Sequence, residues 1–125
     1  MNQPTSRITD LDELAQKLRA FAAERDWEPY HTPKNLAAAL IVEAAELLEH
    51  FQWLDSEASA RLAPEQREQV ALEMADVLLY LVRMADRMGI DLLGAATRKL
   101  AINARKYPVA LARGTHAKYT DLGKP

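Results

Sequence analysis

Apolar residues recur at every third or fourth position through most of the chain, and no stretch alternates apolar with polar residues as a half-buried strand would. That pattern predicts an all-α fold. A first helix starts after Thr9, taken as its N-cap with Asp12 at the capping-box position, and its apolar stripe runs Leu11, Leu14, Leu18, Phe21 and Ala22 to about Asp26. The segment WEPYHTP reads as a loop, because Pro29 and Pro33 remove amide donors and restrict the residues before them. Thr32 caps a second helix with Pro33 at its first position, running to about Trp53. DSEASARLA is a connector with room for a helical turn. Pro64 opens a third helix that reaches Met88, where Gly89 supplies a left-handed C-cap. Asp91 caps a fourth, from about Leu92 to Arg105, which stops at the Tyr107-Pro108 step; the tail 107–125 has no clear periodicity.

Four helices joined by short connections predict an antiparallel four-helix bundle in one domain over 1–125, with a helical core of about 10–106. The second helix is apolar on more than one side, through Leu36, Leu40, Ile41, Ala44, Leu47, Leu48 and Phe51. Such a helix must be covered on several sides, so the bundle is expected to be completed by oligomerisation, as a homodimer or homotetramer.

Two apolar runs break this logic. LAAALIVEAAELL carries Glu43 and Glu46, and VALEMADVLLYLV carries Glu73 and Asp76. Each pair, spaced i, i+3, puts like charges on one helix face, and no Lys or Arg stands three or four residues away to offset them. An unpaired buried carboxylate costs several kcal/mol. The two pairs are therefore expected to face each other across a shared cation. Oxygen-only ligation points to Mg2+, with Mn2+ as the other choice, rather than zinc.

Composition narrows the possibilities. At 125 residues the chain suffices for one domain with a core. A net charge of −2 argues against binding nucleic-acid polymer, and the lack of cysteine removes disulfides, thiolate metal sites and cysteine nucleophiles. No run approaches the roughly 20 apolar residues of a membrane span. MNQPTSRITD lacks the apolar core of a signal peptide, so a cytoplasmic location is expected. Four glycines, three of them where helices could end, leave no glycine-rich phosphate loop.

On the third helix Glu73, Asp76, Tyr80, Arg83 and Arg87 form a polar stripe, matched on the second by Ala39, Glu43, Glu46, His50 and Trp53. Opposed, these faces would gather four carboxylates at one end of a groove that runs on toward an aromatic ring. The fourth helix offers Lys99, Asn103 and Lys106. A negative cluster, a positive cluster and flat rings suit a divalent ion, phosphates and a base. Arg83 and Arg87 themselves read as surface or subunit-contact residues.

The pattern ExxE, a gap of 26 residues, then ExxD resembles that of the all-α nucleoside triphosphate pyrophosphohydrolases, the MazG-like superfamily. The segments FAAERDWEPYHTPKNLAAALIVEAAELLEHFQWL, EMADVLLYLVRMADRMGIDL and KLAINARKYPVALARGTHAKYTDL are similar to its dCTP pyrophosphatase branch, over about Phe21 to Leu122. One departure is AALIV together with Ala44-Ala45, where glycine would be expected in relatives. The resemblance implies that Glu43, Glu46, Glu73 and Asp76 hold Mg2+, and that Trp27 and Trp53 help enclose the base with His31 in the same pocket. It also implies that Tyr80, Lys99 and Asn103 contact sugar or phosphate, and that a (deoxy)nucleoside triphosphate is cleaved between its α and β phosphates.

Charge dictates part of a mechanism, because a triphosphate would be repelled by four carboxylates unless divalent ions bridge the two sets. Attack by water needs a proton acceptor, for which Glu46 or the nearby Glu49 is the candidate, and Lys99 would neutralise charge on the leaving phosphates. Two rival readings exist. A diiron carboxylate bundle expects Glu-x-x-His pairs on two helices, and the chain has one such pair, Glu28 and His31, interrupted by Pro29. A helical module that binds nucleotide or protein without turnover would carry the same ligands.

Overall fold

The computed structural model describes residues 6–125, and among them all regular secondary structure is helical, with no strand. Six α-helices follow in order: α1 (Leu11–Glu24), α2 (Pro33–Glu49), α3 (Ser56–Ser59), α4 (Pro64–Met88), α5 (Leu92–Lys106) and α6 (Val109–Ala112). Single 3₁₀ turns occupy Glu28–Tyr30 and Tyr119–Asp121. The chain forms two compact units, one ending at Ile90 and the other comprising Asp91–Pro125. No helix of the described residues is long and apolar enough to cross a membrane.

Local chemistry sets the helix ends. Thr32 Oγ1 accepts from the Asn35 amide at 3.2 Å with Pro33 at the first helical position, so α2 starts as its sequence predicts. The α4 end is likewise as expected, with Gly89 left-handed at φ 65. The first cap shifts by one residue from the expectation. Asp10, not Thr9, accepts from the Glu13 amide at 2.8 Å, and Glu13 rather than Asp12 reaches back to the Thr9 amide at 3.1 Å. The second helix also stops at Glu49, four residues short of Trp53. There the bonds tighten to Phe51 N–H on Leu48 O and Leu54 N–H on Phe51 O, and Asp55 then caps α3. No proline or glycine marks this exit.

In the first unit α4 packs against both α1 and α2. Leu14 and Ala22 of α1, Leu36 of α2, and Val70, Val82 and Ala85 of α4 form its buried apolar core. Ala22 is fully buried, and its small side chain allows α1 a close approach.

The second unit is organised by α5. Asp91 Oδ1 caps it by accepting from the Gly94 amide at 3.0 Å, and Lys106 in the last turn lies over the Tyr119 ring at 4.6 Å. The tail is less irregular than expected, since it holds α6 and the turn at Tyr119, whose ring meets Tyr107 edge-on at 6.1 Å.

Candidate functional site

The packing of α2 on α4 brings the acidic residues together. Glu43, Glu73 and Asp76 are all half-buried, and each offers an oxygen within 4.8 Å of the others. Glu46, one turn on from Glu43, is half-buried and adjoins that carboxyl without joining the group of three. One oxygen each of Glu43 and Glu73 is buried without any hydrogen-bond partner. Lost hydration, then a hydrogen bond with Glu46 and the charges of Glu46, Asp76 and Glu73, push the Glu43 carboxyl up to about 7. Native folds rarely leave such atoms unpaired. Orphaned oxygens in a ring of like charge fit a hard divalent cation, which would satisfy the lone pairs and remove the repulsion together.

His50 flanks this cluster, its Nε2 lying 4.0 Å from Glu73 Oε1. Sequence places it one turn after Glu46 on the same stripe but assigns it no role.

Next to the carboxylates lies a cavity of about 220 Å³, lined by Leu18, Phe21, Trp27, His31, Asp76, Leu79, Tyr80 and Arg83. Asp76 belongs to both sites, so the acidic cluster and the aromatic cavity are continuous. Phe21 and Trp27 pack edge-on at 5.8 Å, and Trp27 meets the His31 ring at 6.0 Å. Trp27 is set in place by how α1 ends: Asp26 adopts φ 54, Trp27 N–H bonds Ala22 O at 2.9 Å and Asp26 N–H bonds Ala23 O at 3.2 Å. This is the Schellman arrangement, with an aspartate where glycine is usual.

The loop carrying Trp27 and His31 is strapped to α4 by two arginines. Glu28 accepts from Arg83 Nη2 at 3.0 Å and from Arg87 Nη1 at 2.8 Å, while Arg87 Nε donates to the His31 carbonyl at 3.0 Å. Asp86 pairs with Arg19 at 2.6 Å and with Arg83 at 3.2 Å; its hydrogen bond to Arg19 leads the effects that hold its carboxyl below the usual range. The expectation that Arg83 is a surface residue is therefore corrected. It is 3% exposed, because Glu28 and Asp86 neutralise it inside the fold, and it lines the cavity.

Of the other expected substrate residues, Trp53 follows the end of α2, is 88% exposed and does not line this cavity. Glu49 is exposed at the last position of α2. Lys99 is exposed and Asn103 half-buried on α5 of the second unit, one turn apart on one face.

The MazG-like family matches residues 39–122, a span that includes all four acidic residues. The chain is 46% identical over 114 residues to dCTP pyrophosphatase 1 of Bos taurus, covering 90% of this chain and 68% of that one. To the Homo sapiens protein of the same name it is 45% identical, covering 90% and 67%. Among solved structures, a pyrophosphatase from Archaeoglobus fulgidus superimposes with a TM-score of 0.75 at 40% identity, over 85% of this chain and 99% of that one.

Proposed function

This chain belongs to the MazG-like family, and from that premise we propose that it is a Mg2+-dependent enzyme hydrolysing dCTP or a modified dCTP to the monophosphate and pyrophosphate. It is a nucleotide pyrophosphohydrolase. The proposal extends this to the base, the metal, a cytoplasmic house-cleaning role for the nucleotide pool, and an antiparallel four-helix bundle completed by oligomerisation as a homodimer or homotetramer.

One observation carries the reading: an acidic cluster with orphaned oxygens shares Asp76 with a cavity walled by Phe21, Trp27, His31 and Tyr80. Glu43, Glu73 and Asp76, with Glu46 beside them, would hold Mg2+. When bound, the ion polarises phosphoryl oxygens and makes a coordinated water more acidic. The protein's own groups then divide the remaining work. Glu46, or Glu49 at the helix end, accepts the proton of the attacking water. Lys99 sets an ammonium against the charge growing on the leaving phosphates. Trp27 supplies stacking worth on the order of 1–3 kcal/mol, which tolerates every base. Selection of cytosine must then come from directional hydrogen bonds around the ring. Trp53, Tyr80 and Asn103 are assigned to base, sugar or phosphate on the family resemblance.

The test is to incubate the purified protein with each common dNTP and NTP plus Mg2+ and follow products by phosphorus NMR. Monophosphate with pyrophosphate, fastest from dCTP, is expected. Orthophosphate as first product, or no product from any nucleotide, overturns the reading.

A further inference from the structure

Arg83 Nε donates to His31 Nδ1 at 3.1 Å. A guanidinium has no acceptor to offer, so the nitrogen that receives this bond must carry a lone pair and no proton. The proton of a neutral His31 is thereby confined to Nε2. Protonating Nδ1 as well would set one N–H against another and a second positive charge beside the guanidinium. Burial first, then the Arg83 charge, lowers the His31 pKa accordingly.

The donor cannot easily turn away. Every arm of the Arg83 guanidinium is engaged, with Nε on His31, Nη1 on Asp86 at 3.2 Å and Nη2 on Glu28 at 3.0 Å, and the side chain is 4% exposed. The backbone of His31 is pinned too. Its amide donates to the Trp27 and Glu28 carbonyls, and its carbonyl accepts from Arg87. No group of the described residues accepts from Nε2, and His31 lines the cavity beside Trp27.

We propose that Arg83 is a positioning residue that locks His31 in its Nε2–H tautomer, so that the cavity presents one fixed N–H donor to an acceptor on the base edge. The recognised chemistry is a ring nitrogen or carbonyl oxygen beside a stacking face, such as N3 or O2 of cytosine. This half of the inference rests on the pyrophosphohydrolase reading; the tautomer does not.

Both halves have separate readouts. NMR of protein labelled with nitrogen isotope in histidine distinguishes a pyridine-type Nδ1 from a pyrrole-type one without any substrate. The lock predicts pyridine-type Nδ1 and pyrrole-type Nε2 for His31 in the wild-type protein. A proton on Nδ1, or a rapidly averaged mixture, overturns it, and this measurement needs no variant to fold. Arg83→Met should release the lock to a mixture and raise the KM for dCTP about three- to tenfold with kcat nearly unchanged, the loss expected of one hydrogen bond. An unaltered tautomer in Arg83→Met refutes the role of Arg83. Adding deoxycytidine monophosphate with Mg2+ should shift the His31 Nε2–H resonance, and binding that leaves it unmoved refutes the donor. His31→Gln, which can place an amide N–H near the Nε2 position, should keep the KM within about threefold, while the shorter His31→Asn should raise it as Arg83→Met does. Equal losses in the two variants count against the donor. Failure of the wild-type protein to turn over any nucleotide would strike the functional reading alone, since the spectrum decides the tautomer.

Discussion

At the scale of single residues, Glu43 concentrates the conflict between folding and function. Lost hydration and the neighbouring carboxylates push its carboxyl from the ordinary 4.5 up to about 7. Between those values the folded form holds the extra proton, so the stability Glu43 permits is full below the lower value and is lost as pH rises through the upper one. His31 is shifted the other way, below 6.5, and its contribution is lost as pH falls through its folded value. Comparing wild type with Glu43→Gln cancels the His31 part. In metal-free protein the variant should melt above wild type at about pH 8 and level with it at about pH 5. Mg2+ should raise the wild-type Tm and leave the variant nearly unchanged. Turnover should fall by at least about 100-fold, the upper end of the cost of losing even an outer partner of a metal site. A variant that melts well below wild type at both pH values would make the carboxylate structural. The acidic residues were legible in sequence because i, i+3 spacing alone puts each pair on one face. Arg83 was not, since its burial is made by Glu28 and His31, 55 and 52 residues away along the chain.

Among the elements, the ends of helices determine where the site's side chains stand. Three starts are readable because the caps are local: Thr32 with Pro33, Asp91 ahead of Leu92, and Pro64 all act within one turn, whereas at α1 the adjacent Thr9 and Asp10 both offer a cap and Asp10 takes it. The end of α2 was not, because it is closed by backbone bonds at Leu48 and Phe51 among residues that could have stayed helical. The end of α1 hides a similar device. Asp26 carries a left-handed backbone that non-glycine residues reach at a cost of about 1–2 kcal/mol, aspartate bearing it better than most. Asp26→Gly should therefore hold or slightly raise stability in urea unfolding. Asp26→Val, with a branched side chain unsuited to that conformation, should lose about 1–2 kcal/mol. If this turn aims Trp27, the valine variant should also raise the KM for dCTP while the glycine variant does not. An unchanged KM in a folded Asp26→Val protein would separate the turn from the pocket.

For the molecule as a whole, the proposed self-association would cover apolar surface that the helices leave exposed. Ile41 and Leu48 on α2 are 68% and 60% exposed, and with Ala45 they form one stripe at helical spacing. Met74, Leu78 and Leu81 repeat the pattern on α4, the helix packed against α2. Exposed apolar residues scattered singly mean little, but a stripe on each of two packed helices leaves both with an uncovered apolar side. Fully burying a large apolar side chain is worth about 1.5–3 kcal/mol. In a two-fold interface each copy contributes the same stripes, so completing the burial of these partly exposed residues is worth on the order of 10 kcal/mol, comparable to the about 4–15 kcal/mol lost when two molecules become one. A net charge of −2 offers little repulsion against it. Sedimentation equilibrium at micromolar concentration should give a whole multiple, two or four, of the 14.0 kDa chain mass. Ile41→Glu combined with Leu78→Glu should return the single-chain mass with helical circular dichroism intact, because both side chains already face water in the isolated chain. A wild-type protein that sediments as one chain would mean that these stripes serve something other than self-association. An assembled double variant would place the contact on another face.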